Sequence, residues 1–348
     1  MSAPRDTRLL DLFGMELPVI QAPMAGATTP EMVIAVCEAG GLGSFPSAMF
    51  TPGELRTALD TIRAATRRPI NVNFFCHAEP ADDPARQAAW RRRLAPYYAE
   101  AGLGSAPPVR AGGRAPFNDA FCAVVEDFRP EVVSFHFGLP PESLYDRVKR
   151  TGAKVISSAT TVAEARFLDR HGVDAVIAMG AEAGGHRGSF LTNDMAGQLG
   201  TMALVPQVAD AVGVPVIAAG GIVERRGVAA ALSLGAAAVQ VGTAYLFTPE
   251  AKISAVYRKA LASADRSTAI TNLFTGRPAR GIVNRLMSEL GALSDSVPAF
   301  PTAGGALAPL RSAAEAAGRD DFSPLWAGES FPLARPMSAA ELTRVLGT

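Results

Sequence analysis

Short apolar runs alternate with longer amphipathic stretches along most of the chain. The runs at 17–24, 42–45, 70–75, 132–137, 154–159, 175–180, 214–221 and 237–246 read as eight strands. They are apolar almost throughout rather than alternating, as expected of strands buried on both faces. Helical patterns lie between them. "TPEMVIAVCEAGG" has Pro30 in its first turn and Gly40 at its end, and further helices are expected at 52–66 and 118–128. Strands separated by helices pair in parallel through right-handed crossovers. Eight such units predict a (β/α)8 TIM barrel over residues 1–250. An open doubly wound sheet is the alternative, disfavoured because no strand is followed by GxGxxG. The stretch 76–116 reads as an irregular insert rich in Ala, Pro, Gly and Arg. After residue 252 the rhythm stops, and 251–348 is expected to be a mostly helical region packed on the barrel.

Composition narrows the function classes. The 348 residues are 48% hydrophobic and 19% charged, enough for a large core. Lys plus Arg and Asp plus Glu number 33 each, so there is no basic footprint for nucleic acid or an anionic membrane. Cys37, Cys76 and Cys122 are widely spaced and form no CxxC pair, which predicts neither a metal site nor a disulfide framework. The N-terminus lacks a basic segment followed by an apolar run. No apolar run approaches the roughly 18 residues of a membrane span. A cytoplasmic protein is expected, with a homodimer as its candidate assembly.

Barrel enzymes bind ligands at the carboxyl ends of their strands, so those ends carry the candidate chemistry. The first strand ends in "QAPMAG", where Ala22, Pro23 and Met24 could border a planar ring. In "NVNFFCH", Asn71 and Asn73 share one face, and two buried amides need partners. His77 follows and is expected to be solvated. In "SFHFG", alternation turns His136 into the barrel and sends Phe135 and Phe137 toward the helices. After the sixth strand comes "MGAEAGGHRG". Gly184, Gly185 and Gly188 allow close backbone approach, and His186 can act as a base near neutral pH. Glu182 is expected to anchor this loop. Arg187 is either a structural clamp or an attraction for an anion, the clamp being favoured. Gly220 and Gly221 after strand seven, with Gly242 and Thr243 after strand eight, match the usual phosphate grip of this fold. Flavin mononucleotide (FMN) fits these features. A sugar-phosphate substrate without a cofactor fits several of them.

In order and spacing, "QAPMAG", "NVNFFCH", "VSFHFG", "EAGGHRG", "AAGGI" and "QVGT" resemble the nitronate monooxygenases, formerly 2-nitropropane dioxygenases, and their class I branch in particular. "GRPARGIVNR" and "PLWAG" extend the resemblance almost end to end. It implies non-covalent FMN and no metal. It implies oxidation of anionic alkyl nitronates, propionate 3-nitronate among them, by dioxygen to carbonyl compound and nitrite. FMN contacts would fall on Ala22, Pro23, Met24, Asn73, Met179, Gly184, Gly185, Gly220, Gly221, Gln240, Gly242 and Thr243. His186 would lie over the flavin, and His186 and His136 are the two candidate catalytic residues. One position departs from the family pattern: Met179 stands where glutamine usually precedes the loop's first glycine, and a thioether cannot donate a hydrogen bond. The alternatives are an FMN-barrel reductase of the enoyl-acyl-carrier-protein type using NAD(P)H, and a flavin-binding protein with impaired catalysis.

Overall fold

The computed structural model describes residues 6–105 and 114–348. Strands β1(Val19–Gln21), β2(Gly43–Pro46), β3(Ile70–Phe75), β4(Val132–His136), β5(Lys154–Ala159), β6(Ala175–Met179), β8(Val216–Ala219) and β9(Ala238–Val241) pair in parallel in the order β1-β9-β8-β6-β5-β4-β3-β2. A parallel bridge between Ile20 and Leu42 joins the two ends, so the sheet is a closed TIM barrel. The remaining strand of this part of the chain, β7(Gly185–His186), lies outside the barrel.

Local chemistry places the surrounding helices. α2(Pro30–Glu38) and α3(Pro52–Ala65) begin at Thr29 and Thr51, whose hydroxyls accept the amides of Met32 and Glu54, each with proline in the first turn. α5(Asp119–Phe128), α6(Glu142–Arg150), α7(Val162–Arg170), α8(Thr201–Ala209) and α9(Arg225–Ser233) continue the ring. Outward strand residues pack beneath them. Phe74 and Phe135 meet Phe117 at 4.8 and 5.2 Å between ring centres. Burying one such ring contributes about 1.5–3 kcal/mol. Inside the lower barrel, Leu9 and Phe13 of α1(Arg8–Phe13) join Ile20, Leu42, Val132 and Ile217, so the amino-terminal helix plugs the bottom.

Several expectations need correction. The 76–116 insert contains a 17-residue helix, α4(Pro84–Glu100); the part at 106–113 lies outside the described residues. Its arginine run and Pro96 hide the helical pattern. Its buried side chains, Trp90, Leu94, Tyr97 and Tyr98, share a core with Leu286, Leu307, Leu310 and Phe322 from the last hundred residues. That last region is also less helical than expected. Besides α10(Ala255–Leu261), α11(Arg285–Leu290) and α12(Ala308–Ala316), it supplies the antiparallel pair β10(Thr268–Thr271) and β11(Ala279–Ile282). The final helix, α13(Ala339–Gly347), returns to the barrel and packs between α9 and α2, where the eighth helix of the ring belongs. The Thr343 hydroxyl meets the Tyr245 hydroxyl at 2.8 Å there. The strand expected at 237–246 stops at Val241, and Thr243–Phe247 forms a 3-10 turn. Among the described residues no helix is long and apolar enough to cross a membrane.

Candidate active site

The carboxyl ends of the strands open into one cavity, and all fourteen candidate residues line it. Ala22, Pro23 and Met24 form the wall after β1. Asn73 and His136 come from β3 and β4. Met179, Gly184, Gly185 and His186 follow β6. Gly220 and Gly221 follow β8, and Gln240, Gly242 and Thr243 end β9.

Each wall is held by identifiable contacts. Gln21, buried behind the "QAPMAG" turn, accepts the Ser44 amide at 3.0 Å and donates to Thr28 at 3.2 Å; Thr28 in turn accepts the Met24 amide. The two asparagines do share the inner face. Asn71 donates to the Ser44 hydroxyl and Asn73 to the Ser134 hydroxyl, at 3.0 and 2.9 Å. Arg187 is the clamp. Fully buried, it donates to the carbonyls of Met179 and Gly180 at 2.8 and 2.7 Å, and to Gln198, tying the end of β6 to the following loop. Glu182 anchors the same loop by accepting the Thr201 amide and hydroxyl at the start of α8.

The loop itself is less free than its glycines suggest. Gly185 and His186 form β7, which pairs antiparallel with Ala279 and Arg280 of β11. The short sheet β10-β11-β7 therefore carries His186 across the barrel mouth. Gly184 is required there, because a Cβ at this position would stand 2.5 Å from the Gly328 amide and 2.6 Å from the Ala327 carbonyl carbon. The strap 326–330 covers the loop: Gly328 donates to Thr243 Oγ1 at 3.0 Å and Glu329 to the Glu182 carbonyl at 3.0 Å. Tyr257, Trp326, Gly328 and Ser330 complete the roof. The sequence places the last hundred residues on the barrel without showing which of them roof the pocket.

His186 Nε2 meets Thr275 Oγ1 at 2.9 Å. Its ring packs against Phe300 and Trp326, at 5.3 and 5.5 Å between centres. Burial, then the charges of Arg114, His136, Arg277 and His77, hold His186 well below the usual histidine range, so it is neutral near pH 7. His136 is likewise pushed down to about 3, by burial and by Arg277. Both of its nitrogens are engaged, Nδ1 with Ser158 Oγ at 3.1 Å and Nε2 with the His186 carbonyl at 3.2 Å.

Two sequence expectations fail here. His77 is buried rather than solvated, lies 4.8 Å from the Phe300 ring, and has no partner for Nδ1 among the described residues. Phe137 does not follow Phe135 toward the helices. β4 ends at His136, and Phe137 adopts φ +73°, which turns its ring into the mouth against Phe75, Phe300 and the Arg277 guanidinium. Alternation cannot foresee a left-handed phenylalanine.

The cavity suits a flavin nucleotide on structural grounds. No Asp, Glu or Lys lines it among the described residues, so a phosphate meets no repulsion. Gly220 and Gly221 take φ +112° and +71°, leaving a side-chain-free cradle beside Gly242 and Thr243. Gln240 Oε1 is buried without a partner, an omission that costs about 1–3 kcal/mol unless a ligand supplies a donor.

The nitronate monooxygenase family model matches residues 6–348. The chain belongs to the nitronate monooxygenase family. Members are flavin-dependent oxidoreductases as a class. The nitronate monooxygenase of Pseudomonas aeruginosa is 42% identical over 350 residues, 97% of each chain. Among solved structures, nitroalkane oxidase from Streptomyces ansochromogenes aligns with a TM-score of 0.86 at 38% identity, covering 97% of this chain and 96% of that one. FabK from Thermotoga maritima aligns at 0.72 and 29% identity, covering 98% and 94%.

Proposed function

We propose that this chain is an FMN-dependent nitronate monooxygenase, oxidising alkyl nitronates such as propionate 3-nitronate with dioxygen to carbonyl compound and nitrite. The amides of Gly220, Gly221 and Gly242 and the Thr243 hydroxyl would grip the phosphate. Asn73 and Gln240 would meet polar edges of the ring system, and Ala22, Pro23, Met24 and Met179 would form its walls, with Gly184 and Gly185 beneath the covering loop. Bound FMN supplies the electron transfer and the dioxygen chemistry.

The observation that carries the reading is a neutral His186, tied at Nε2 to Thr275, over a cavity whose only formally charged lining residue among those described is cationic. A base held so far below its usual range takes a carbon-bound proton poorly. The cationic surroundings of Arg114 and Arg277 favour a substrate that arrives already deprotonated. His186 Nδ1 has no protein partner among the described residues and is the atom that would face the nitronate. For neutral nitroalkanes that same Nδ1 would be the proton acceptor.

The test is an absorption spectrum of the purified protein, followed by oxygen uptake and nitrite release with propionate 3-nitronate. A colourless protein that refuses added FMN overturns the reading, and an FMN-loaded protein with no turnover identifies an impaired flavin binder. The NAD(P)H-dependent FMN-barrel reductase named among the sequence alternatives is the second reading. Anaerobic mixing with NADPH separates the two, since prompt bleaching would favour the reductase.

A further inference from the structure

Arg114 enters the scheme so far only as part of the positive field around His186. Its amide donates to the Ala48 carbonyl at 2.9 Å, just beyond β2, and it adopts a left-handed φ of +62°. It lines the same cavity as Phe75 and His186. Its guanidinium makes no ion pair or hydrogen bond among the described residues, and residues 1–5 and 106–113 contain no Asp or Glu to supply a carboxylate. Arg277, the other cation near His186, is partly committed: it lies over the Phe137 ring and donates to the Ser189 carbonyl, while its buried Nε has no partner among the described residues. Arg114 is half-buried; withdrawing part of a guanidinium from water without a counter-ion has a cost, and burial lowers its pKa. Such a group is retained at a cavity wall when a ligand supplies the anion.

Position suggests which anion. β2, whose exit holds Arg114, and β6, whose loop carries His186, stand four strands apart round the eight-stranded ring. The two backbones therefore approach the cavity from opposite sides.

We propose that Arg114 is a specificity-determining residue that receives a carboxylate at the far end of the substrate while the nitronate lies beside His186. The proposal rests on the nitronate reading above. Carbon chains joining the two groups would run along the aromatic wall of Phe75 and Trp326. Substrates lacking the second charge gain only the general positive field of Arg114, not a direct contact.

FMN-loaded wild type, Arg114→Gln and Arg114→Lys are compared by oxygen uptake with propionate 3-nitronate, which has a carboxylate, and ethyl nitronate, which lacks one. Loss of a charge-assisted hydrogen bond predicts that Arg114→Gln raises KM for propionate 3-nitronate about 10- to 100-fold relative to its effect on ethyl nitronate. Arg114→Lys recovers part of that loss. Succinate, which cannot react, should perturb the flavin absorption bands of wild type and not of Arg114→Gln. Equal KM changes for both substrates overturn the proposal. A weaker FMN affinity, read by flavin fluorescence, with the substrate ratio unmoved overturns it too, because the anion is then the cofactor phosphate. If the wild type oxidises neither compound, the nitronate reading fails and the proposal with it. If it oxidises both and the ratio is unmoved, only the proposal fails.

Discussion

Nε2 of His136 lies 3.2 Å from the carbonyl oxygen of His186. A carbonyl only accepts, so Nε2 carries the proton and Nδ1 accepts from the Ser158 hydroxyl. With both nitrogens spent, His136 acts as a strut under the loop that carries His186, not as a second base. His136→Gln, which can still donate to that carbonyl, should retain most turnover, whereas His136→Ala should lower kcat/KM for nitronates about 10-fold, the loss expected of one buried hydrogen bond. The pH profile of kcat/KM in His136→Ala should keep its wild-type inflections. A lost inflection would give His136 a proton-transfer role.

His186 contributes differently to the two substrate forms. General-base catalysis by a positioned side chain is worth about 10²–10⁴-fold. His186→Ala should lower the turnover of nitroethane by about 100-fold, the low end of that range because its basicity is depressed, while ethyl nitronate, already deprotonated, loses far less. The variant should keep its FMN, because the proposed phosphate grip lies on other strands. Stopped-flow flavin reduction with each substrate measures the split. Parallel losses on both would remove the base assignment.

Two neighbouring glycines should respond unequally to alanine. Gly184 faces backbone at 2.5 Å, which no side-chain rotation relieves, whereas a Cβ on Gly185 meets nothing within 4 Å and bears only the strain of φ +78°. Gly185→Ala should cost about 1–2 kcal/mol. Gly184→Ala should cost more and should also loosen the strap at Gly328, weakening FMN retention. Thermal unfolding and flavin fluorescence on both variants check the order.

Much of this site was legible in the sequence because the barrel converts strand order into spatial convergence. "QAPMAG" and "AAGGI" needed only the strand assignments to meet at one rim. What was not legible depends on contacts between distant segments. His186 owes its fixed position to β11, about 90 residues downstream, and a two-residue strand leaves no periodic trace. The helix of the insert is stabilised by Trp90, whose indole donates to the Ala303 carbonyl. Its surface arginines mask that buried face. Phe137 was misassigned because one left-handed residue reverses a side chain that strand alternation sends outward. Met179, expected as a flavin contact in place of the family's glutamine, lines the cavity, but the sequence could not reveal that its carbonyl, held by Arg187, also fixes the loop.

The buried imidazoles make the fold sensitive to acid. His77 is held near 4, against 6.5 ordinarily, by burial and then by Arg277 and Arg114. Between those values the unfolded chain binds a proton that the folded chain refuses, so stability rises with pH across the window. It is complete above about pH 6.5 and is lost as pH falls toward 4. His136, held near 3, extends the loss to lower pH. Carboxylates contribute to any acid limb, so the comparison must be with a variant. His77→Leu replaces a ring whose Nδ1 has no partner among the described residues with an apolar side chain against Phe300. It should leave the melting temperature at pH 7.5 within a few degrees of wild type and reduce the fall between pH 6.5 and 4.5. An unchanged fall would mean that His77 is protonated in the folded protein and that the charge is accommodated at the mouth.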